Sequence, residues 1–438
     1  MNLMEEILTD ENLSEALQRV CANKGAAGID GIKTEDFHKQ MSAEWKGIKE
    51  KLLLGKYKAK GVRRVEIPKP TGGIRLLGIP TVMDRFIQQA VLQRLTPIFD
   101  PAFSEYSYGF RPNKSAHDAV RQAKKYIEEG HEYVVDIDLE KFFDTVNHDI
   151  LMRLVGEKVR DKRVLRLIGS YLRAGVMING VCISNEEGTP QGGVISPLLA
   201  NIMLNELDKE LELRGHKFCR YADDCNIYVK SVKAGERVKA SVTSFLSKKL
   251  KLKVNESKSA VDKPTNRKFL GFSFAKREEL EIIISVQSLK RVKDKIRELT
   301  DSLKGISMDE RIKTINRYII GWLGYYSLAD TSWNVGQLDG WLRRRMRLCR
   351  WHEWKNPKTR LRELMNLGLT KVAARGVSYS RKGNWRISLT PAMHKAMGIE
   401  YWKKQGLEHV VERYETYRES WRTAVYRTVR TVVWEDGS

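Results

Sequence analysis

Apolar residues recur at helical spacing over residues 3–22, where Leu3, Ile7, Leu13, Leu17 and Val20 share a face and Asp10 or Asn12 offers a cap. A second amphipathic segment spans about 34–54, and the glycine-rich run Lys24–Gly31 between them reads as a loop, either a shaped one or a connector. Two β-prone runs on either side of Pro68-Lys69-Pro70-Thr71-Gly72-Gly73 predict a hairpin between Val62 and Pro80. Helices follow over 81–97, ended by Pro97, and over 115–129, beginning at Ser115. Tyr133–Ile137 is an apolar strand that runs into Asp138, and helices come next at about 148–156 and 161–174. Ser196-Pro197 has the N-cap and N1 pattern of a helix reaching Leu213, and a further helix covers about 235–250. Phe269–Phe274 reads as a short strand containing a glycine.

The pattern changes in the last third. Residues 288–303, 308–328 and 335–355 each set an apolar stripe against basic neighbours, which predicts a helical bundle beside a groove. Beyond 371 the chain is basic and irregular around Tyr379–Arg386, then helical to the end.

Two stretches carry candidate chemistry. Phe218–Tyr221 and Cys225–Val229 are β-prone runs around Asp223-Asp224, a tight hairpin with both carboxylates at its tip. Adjacent carboxylates repel unless a cation lies between them. Alone this is equally a surface turn. The Tyr133–Ile137 strand, ending on Asp138, supplies a second acidic strand end. Hard oxygens from two strands suit Mg²⁺, whose shell is completed by water and substrate phosphates, and the pattern is that of a polymerase palm. Lys69 and Arg75 flank the hairpin turn, where both cations can reach a triphosphate; solvated charges are the alternative.

Composition narrows the partners. The 438 residues carry a formal charge of +23, which points to a polyanion bound with steep salt dependence. From Val286 onward there are 31 Lys+Arg against 16 Asp+Glu, a net of +15, leaving +8 for the first 285 residues. Nine of the ten tryptophans lie from Trp322 onward, as core residues or as stacking platforms. No apolar run of about 18 residues predicts a membrane span, and the start lacks the plan of a signal peptide. Five scattered cysteines without a Cys-x-x-Cys pair argue for a reducing, cytoplasmic setting and against a zinc module.

The ordered set Ile67-Pro68-Lys69-Pro70, Tyr108-Gly109-Phe110-Arg111-Pro112, Asp138 through Phe143-Asp144, Thr189-Pro190-Gln191-Gly192-Gly193, Tyr221-Ala222-Asp223-Asp224, Asn255-Glu256-Ser257-Lys258 and Leu270-Gly271-Phe272 resembles bacterial group II intron-encoded reverse transcriptases, the intron maturases. The resemblance covers nearly the whole chain, including Gly321-Trp322-Leu323-Gly324-Tyr325-Tyr326. It implies an α+β right-hand polymerase with an N-terminal extension (1–60), fingers and palm (61–280), a thumb or maturase region (281–370) and a basic DNA-binding-like segment (371–438). Asp138, Asp223 and Asp224 match the catalytic aspartates, and with Leu139 they form the implied set for two Mg²⁺ ions. Lys69, Arg75, Phe143, Pro190, Gln191, Gly192 and Lys258 match the nucleotide pocket, Phe143 excluding a 2′-hydroxyl. Leu270, Gly271 and Phe272 match the primer-supporting strand, and Arg63, Arg111, Arg343, Arg344 and Arg345 are expected nucleic-acid contacts. Relatives with a C-terminal His/Cys-rich endonuclease differ from this chain, which looks like the short class C members.

The implied partners are group II intron RNA, an RNA template with a DNA or RNA primer, target DNA and dNTPs, with no membrane. One Mg²⁺ would lower the pKa of the primer 3′-hydroxyl while the second holds the triphosphate. Asp136 and Asp144 are expected to be structural, and His148 to cap or pack its helix. A splicing-only maturase and a domesticated or defence-associated reverse transcriptase are the alternatives. Neutralising Arg343, Arg344 and Arg345 together is expected to weaken RNA binding.

Overall fold

The computed structural model describes residues 2–68, 72–178, 181–183, 188 and 192–420, with Arg75 and the strands at 176–178 and 181–183 described by their backbone alone. The fold is α+β, and the chain divides into two compact units, Met1–Arg267 and Lys268–Ser438.

The first unit begins with helices α1 (Leu3–Ile7), α2 (Asp10–Ala22) and α3 (Phe37–Leu53); the helical spacing read over 3–22 is divided at Leu8 and Thr9, and Thr9 rather than Asp10 or Asn12 is the N-cap of α2. The break has a polar cause. Asn12 is no cap; its buried amide donates to the Ile7 carbonyl at 2.8 Å and to the Ala90 carbonyl at 3.0 Å. Strands β1 (Val62–Pro68) and β2 (Ile74–Ile79) pair antiparallel as the predicted hairpin. Helix α4 (Val82–Phe99) is capped by Thr81, whose hydroxyl accepts from the Asp84 amide at 3.1 Å. It runs past Pro97, against expectation, because burial of Leu95 and Phe99 outweighs one missing hydrogen bond in the last turn.

Helix α5 (Ala116–Glu128) opens on a Ser115–Asp118 capping box. Then come β3 (Tyr133–Ile137), α6 (Phe142–Thr145), α7 (His148–Lys158), α8 (Lys162–Arg173), β4 (Val176–Ile178) and β5 (Val181–Ile183). Helix α9 (Ser196–Leu213) starts on Ser196 itself, one residue earlier than the cap pattern predicts, with Ile195 at the N-cap position and no side-chain cap; Gln88 Oε1 accepts from the Val194 amide at 2.8 Å and holds the chain entering the helix. Strands β6 (Lys217–Tyr221) and β7 (Asp224–Val229), helix α10 (Val232–Phe245) and β8 (Ala260–Asp262) complete the unit. One sheet has the order β2-β1-β4-β5, and the other β6-β7-β3-β8. Val135, Ile137, Ile227 and Val229 pack from the second sheet into the core formed with the helices.

Beneath the β6–β7 turn lies Arg220, whose residue is 0% exposed. Its Nε donates to Asp208 Oδ1 on α9 at 2.7 Å and its Nη2 to the Ser107 hydroxyl at 2.7 Å. Nη1 donates to Asn201 Oδ1 at 3.0 Å and to the Ala222 carbonyl at 2.9 Å. Burial works against this charge, and the Asp208 carboxylate outweighs it, so the guanidinium pKa lies above its ordinary value.

In the second unit, β9 (Phe272–Lys276) and β10 (Leu280–Ile284) form a hairpin. Helices α11 (Val286–Leu299), α12 (Met308–Tyr326), α13 (Ser332–Glu353), α14 (Pro357–Asn366), α15 (Lys371–Ser378), α16 (Asn384–Ile387), α17 (Pro391–Ala396) and α18 (Ile399–Lys404) follow, with a last helical stretch over 410–420. Val292, Ile296, Ile315, Ile319, Leu342 and Met346 form its core, together with Trp351 and Trp402. Trp333 and Trp385 are exposed, so the tryptophans divide between core and surface.

The arginine triplet of α13 is committed within this unit. Arg343 pairs with Asp339 one turn back. The Arg344 guanidinium lies 3.7 Å from the centroid of the Trp385 ring and donates to the Trp385 carbonyl at 2.9 Å. Arg345 donates to the hydroxyl and carbonyl of Thr300, at 2.8 and 3.0 Å, and so closes the C-terminus of α11. The structure therefore adds an internal role that the expectation of a bare basic surface left out.

Two outcomes follow. Arg220→Ala leaves Asp208 buried without its cation and should cost about 3–5 kcal/mol of stability, read by denaturant unfolding; a parent-like midpoint would remove the network from the list of stabilising features. Arg345→Ala loses the charged donor's bonds to Thr300 and to the Arg297 carbonyl and should cost about 1.5–3 kcal/mol, lowering the thermal midpoint before any RNA is added. Parent-like unfolding with weakened RNA binding would instead return Arg345 to the nucleic-acid surface.

Candidate functional site

Strand pairing brings the acidic residues to one end of the second sheet. β3 and β7 run antiparallel with Asp136 opposite Asn226 and Ile137 opposite Cys225. One further step of the same register sets Asp138 across from Asp224. Tyr221 pairs with Asp224 across the β6–β7 hairpin, so Ala222 and Asp223 alone form the turn. Asp224 is thus the first residue of β7, and only Asp223 stands at the tip where both were expected. Ala222 holds a left-handed φ of +58°, a conformation disfavoured for alanine.

The Asp138 backbone is fixed on both sides. Its amide donates to the Ser259 hydroxyl at 2.9 Å, and its carbonyl accepts from the Asn255 amide at 2.8 Å. Leu139 is buried and bridges to Val254, and the Glu140 amide donates to the Lys253 carbonyl at 2.8 Å. The loop that binds this backbone also delivers Lys258, whose Nζ lies 3.6 Å from Asp138 Oδ1. The Asp138 side chain remains 41% exposed. Asp136, by contrast, pairs with Arg267, as a structural residue does. Among the described residues, no three acidic, His or Cys side chains already form a closed metal cage. A Mg²⁺ ion completed by phosphate oxygens and water needs only one or two protein carboxylates, so the donor chemistry suits it.

Phe143 sits half-buried on α6, its ring 5.1 Å from that of Phe142 and packed on the core. Lys141 turns the chain into this helix with a φ of +47°. Gly188 lies against the same turn: a Cβ there would come 2.8 Å from the carbonyl oxygens of Phe143 and Asp144. The Gly188 amide donates to the Val146 carbonyl at 2.8 Å, and His148 Nε2 donates to the Gly188 carbonyl at 2.6 Å, a packing role for that histidine. Gly192, at φ +114°, packs on β2, where a Cβ would lie 2.7 Å from the Gly78 carbonyl oxygen. Lys69, Pro190 and Gln191 lie outside the described residues, and Arg75 is placed by its backbone alone, opposite Ile67 in the hairpin.

Arg63 is exposed on β1. Arg111 is turned inward, a correction to its expected role in binding nucleic acid. Its Nε donates to Asp100 at 2.8 Å and its Nη1 to the Ser107 carbonyl at 3.0 Å, with the side chain 8% exposed. Leu270 and Gly271 form a tight turn, at φ +53° and +85°, rather than part of a strand, and β9 begins at Phe272. The Tyr325 hydroxyl donates to the Leu270 carbonyl at 2.8 Å, and the Ser288 hydroxyl to the Gly271 carbonyl at 2.9 Å.

Sequence reasoning missed Arg220, Ser107, Asn201 and Asp208. One signal was present: Asp208 falls on the apolar stripe of Leu204, Leu207 and Leu211, where a carboxylate requires a buried partner.

The pattern of the family "Reverse transcriptase (RNA-dependent DNA polymerase)" matches residues 67–274, and that of "Group II intron, maturase-specific domain" matches 289–368. Protein YkfC of Escherichia coli is 35% identical over 299 residues, 59% of this chain and 78% of that one. Group II intron-encoded protein LtrA of Lactococcus lactis subsp. cremoris is 39% identical over 195 residues, 44% of this chain and 32% of that one. The Putative COX1/OXI3 intron 2 protein of Saccharomyces cerevisiae is 32% identical over 290 residues, 63% of this chain and 33% of that one. The matched segments thus make up about a third of the length of the latter two proteins. No helix among the described residues is long and apolar enough to cross a membrane. With both patterns in order along the chain and a relative matched over most of its length, the protein belongs to the group II intron-type reverse transcriptase family.

Proposed function

We propose that the chain is an RNA-directed DNA polymerase that also binds group II intron RNA as a maturase, assisting splicing and mobility in the cytoplasm. The observation that carries the reading is the register that aligns Asp138 with Asp224 beside the Asp223 turn. Asp138, Asp223 and Asp224, with Leu139 beside them, would hold two Mg²⁺ ions. Bound there, the ions supply charge neutralisation at the triphosphate and a lowered pKa at the primer 3′-hydroxyl.

The chain's own residues do the rest. Lys258 orients the triphosphate together with Lys69 and Arg75, by charge-assisted hydrogen bonds. Phe143 closes the pocket under the sugar, and Pro190, Gln191 and Gly192 contribute to the same pocket. The Leu270-Gly271-Phe272 turn supports the primer. Template RNA, dNTP and target DNA are the remaining partners, gripped by Arg63 and by basic residues of the thumb (281–370) and C-terminal segment (371–438). Residues 1–60 are the N-terminal extension, and 61–280 the fingers and palm. Positioning and electrostatic preorganisation provide most of the rate.

Asp223→Asn should lower primer extension on an RNA template at least about a hundredfold, while RNA affinity, carried by the basic surface, stays near the parent's. Parent-like extension by that variant would remove Asp223 from the metal set, and a parent chain that binds intron RNA without extending a primer would favour a splicing-only maturase. Phe143→Ala should admit ribonucleotides more readily; unchanged discrimination between dNTP and rNTP would leave Phe143 as a core aromatic.

A further inference from the structure

Phe110 is a large, exposed apolar side chain beside the aspartate turn that the site described above leaves unused. Its side chain faces solvent at 59% exposure, and its backbone holds a left-handed φ of +57°. A bulky residue in that region is an outlier, costing about 1–3 kcal/mol. Asparagine or glycine would hold the same backbone at lower cost. The strain is not relieved by burying the ring.

The loop around it is heavily braced. Arg111, the next residue, donates to Asp100 and to the Ser107 carbonyl. The Asn201 amide donates to the Gly109 carbonyl at 2.8 Å, and the Tyr108 amide donates to the Arg220 carbonyl at 2.8 Å. Gly109 lies directly on the catalytic hairpin: a Cβ there would overlap the Ala222 nitrogen and lie 2.9 Å from the Tyr221 carbonyl carbon. The Phe110 ring consequently stands 6.2 Å from the Tyr221 ring, tilted by 44°. Arg220 and Asn201 serve both the loop and the turn, so the position of Phe110 is fixed relative to Asp223.

We propose that Phe110 is a nucleic-acid contact, an aromatic platform against which the sugar and base edge of the primer's 3′-terminal nucleotide pack. This rests on the polymerase reading. If Asp223 and Asp224 serve the reacting 3′-hydroxyl, the nucleotide over the Tyr221–Ala222 turn is the primer terminus, and Phe110 is the exposed aromatic fixed beside that turn. Aromatic contact is indifferent to base identity, as a primer terminus that changes at each cycle requires. Tyr221, at its flank, offers a second ring.

The test uses the full chain and a primer–template carrying 2-aminopurine, either at the primer 3′ end or well upstream. Phe110→Asn keeps the backbone conformation and relieves strain, so its thermal midpoint should equal or exceed the parent's. Its primer–template, without dNTP, should dissociate roughly fivefold faster or more, and fluorescence should rise only with the probe at the primer terminus. Phe110→Tyr should match the parent in all three. A Phe110→Asn chain with parental dissociation and terminal fluorescence overturns the assignment. So does one whose midpoint falls, since the ring would then be a brace for the hairpin. Failure of the parent to extend a primer in Mg²⁺ would strike the polymerase reading itself, which the dissociation and fluorescence measurements do not depend on.

Discussion

The acidic end of the sheet depends on a buried ion pair. Arg220 and Asp208 are both sealed from solvent, and their desolvation is offset because almost every polar atom of the guanidinium finds a partner. That pair joins the long helix α9, the loop through Ser107 and the carbonyl of Ala222. The strained turn carrying Asp223 can therefore persist, because its surroundings overdetermine it. Phe110, Lys141, Ala222 and Leu270 are four of the eight described non-glycine residues with positive φ, and these four lie in motifs tied to the proposed chemistry.

Elements whose identity rests on apolar spacing were legible in the sequence: the α5 and α9 helices, the β1–β2 and β6–β7 hairpins and the first three helices of the second unit, α11 to α13, whereas the short helices α14 to α18 were not separately read. The two acidic strand ends were legible as well, and the β3–β7 pairing brings Asp138 and Asp224 to the same end of the sheet. Polar residues were less legible, because periodicity says where they sit along an element and nothing about where they reach. Asn12 looked like a cap and became a bridge to α4. Arg111 and Arg345 looked like surface cations and became internal donors to carbonyl groups. Pro97 was read as a stop, and tertiary burial of Phe99 overrode it.

The same distinction refines the meaning of the basic composition. A net charge of +23 gives a long-range field that draws a polyanion whether or not each arginine is free. Short-range contacts are another matter, and the guanidiniums of Arg111, Arg220 and Arg345 already have fixed partners. Exposed lysines and arginines, such as Arg63, remain for direct contact, so counting charge overstates the number of available hands.

The turn at Leu270–Gly271 has a mechanical consequence. Its two carbonyls are held by hydroxyls from α12 and α11, the Tyr326 hydroxyl bonds Ser288, and the Asp330 amide clasps Ile282 on the opposite strand at 2.6 Å. The hairpin is thus pinned near both its open end and its second strand to the helices that build the second core. A load applied to the β9–β10 ribbon cannot slide one strand past the other without first prying those hydroxyls loose. Through those bonds it reaches α11 and α12 directly, as it would the shaft of a lever.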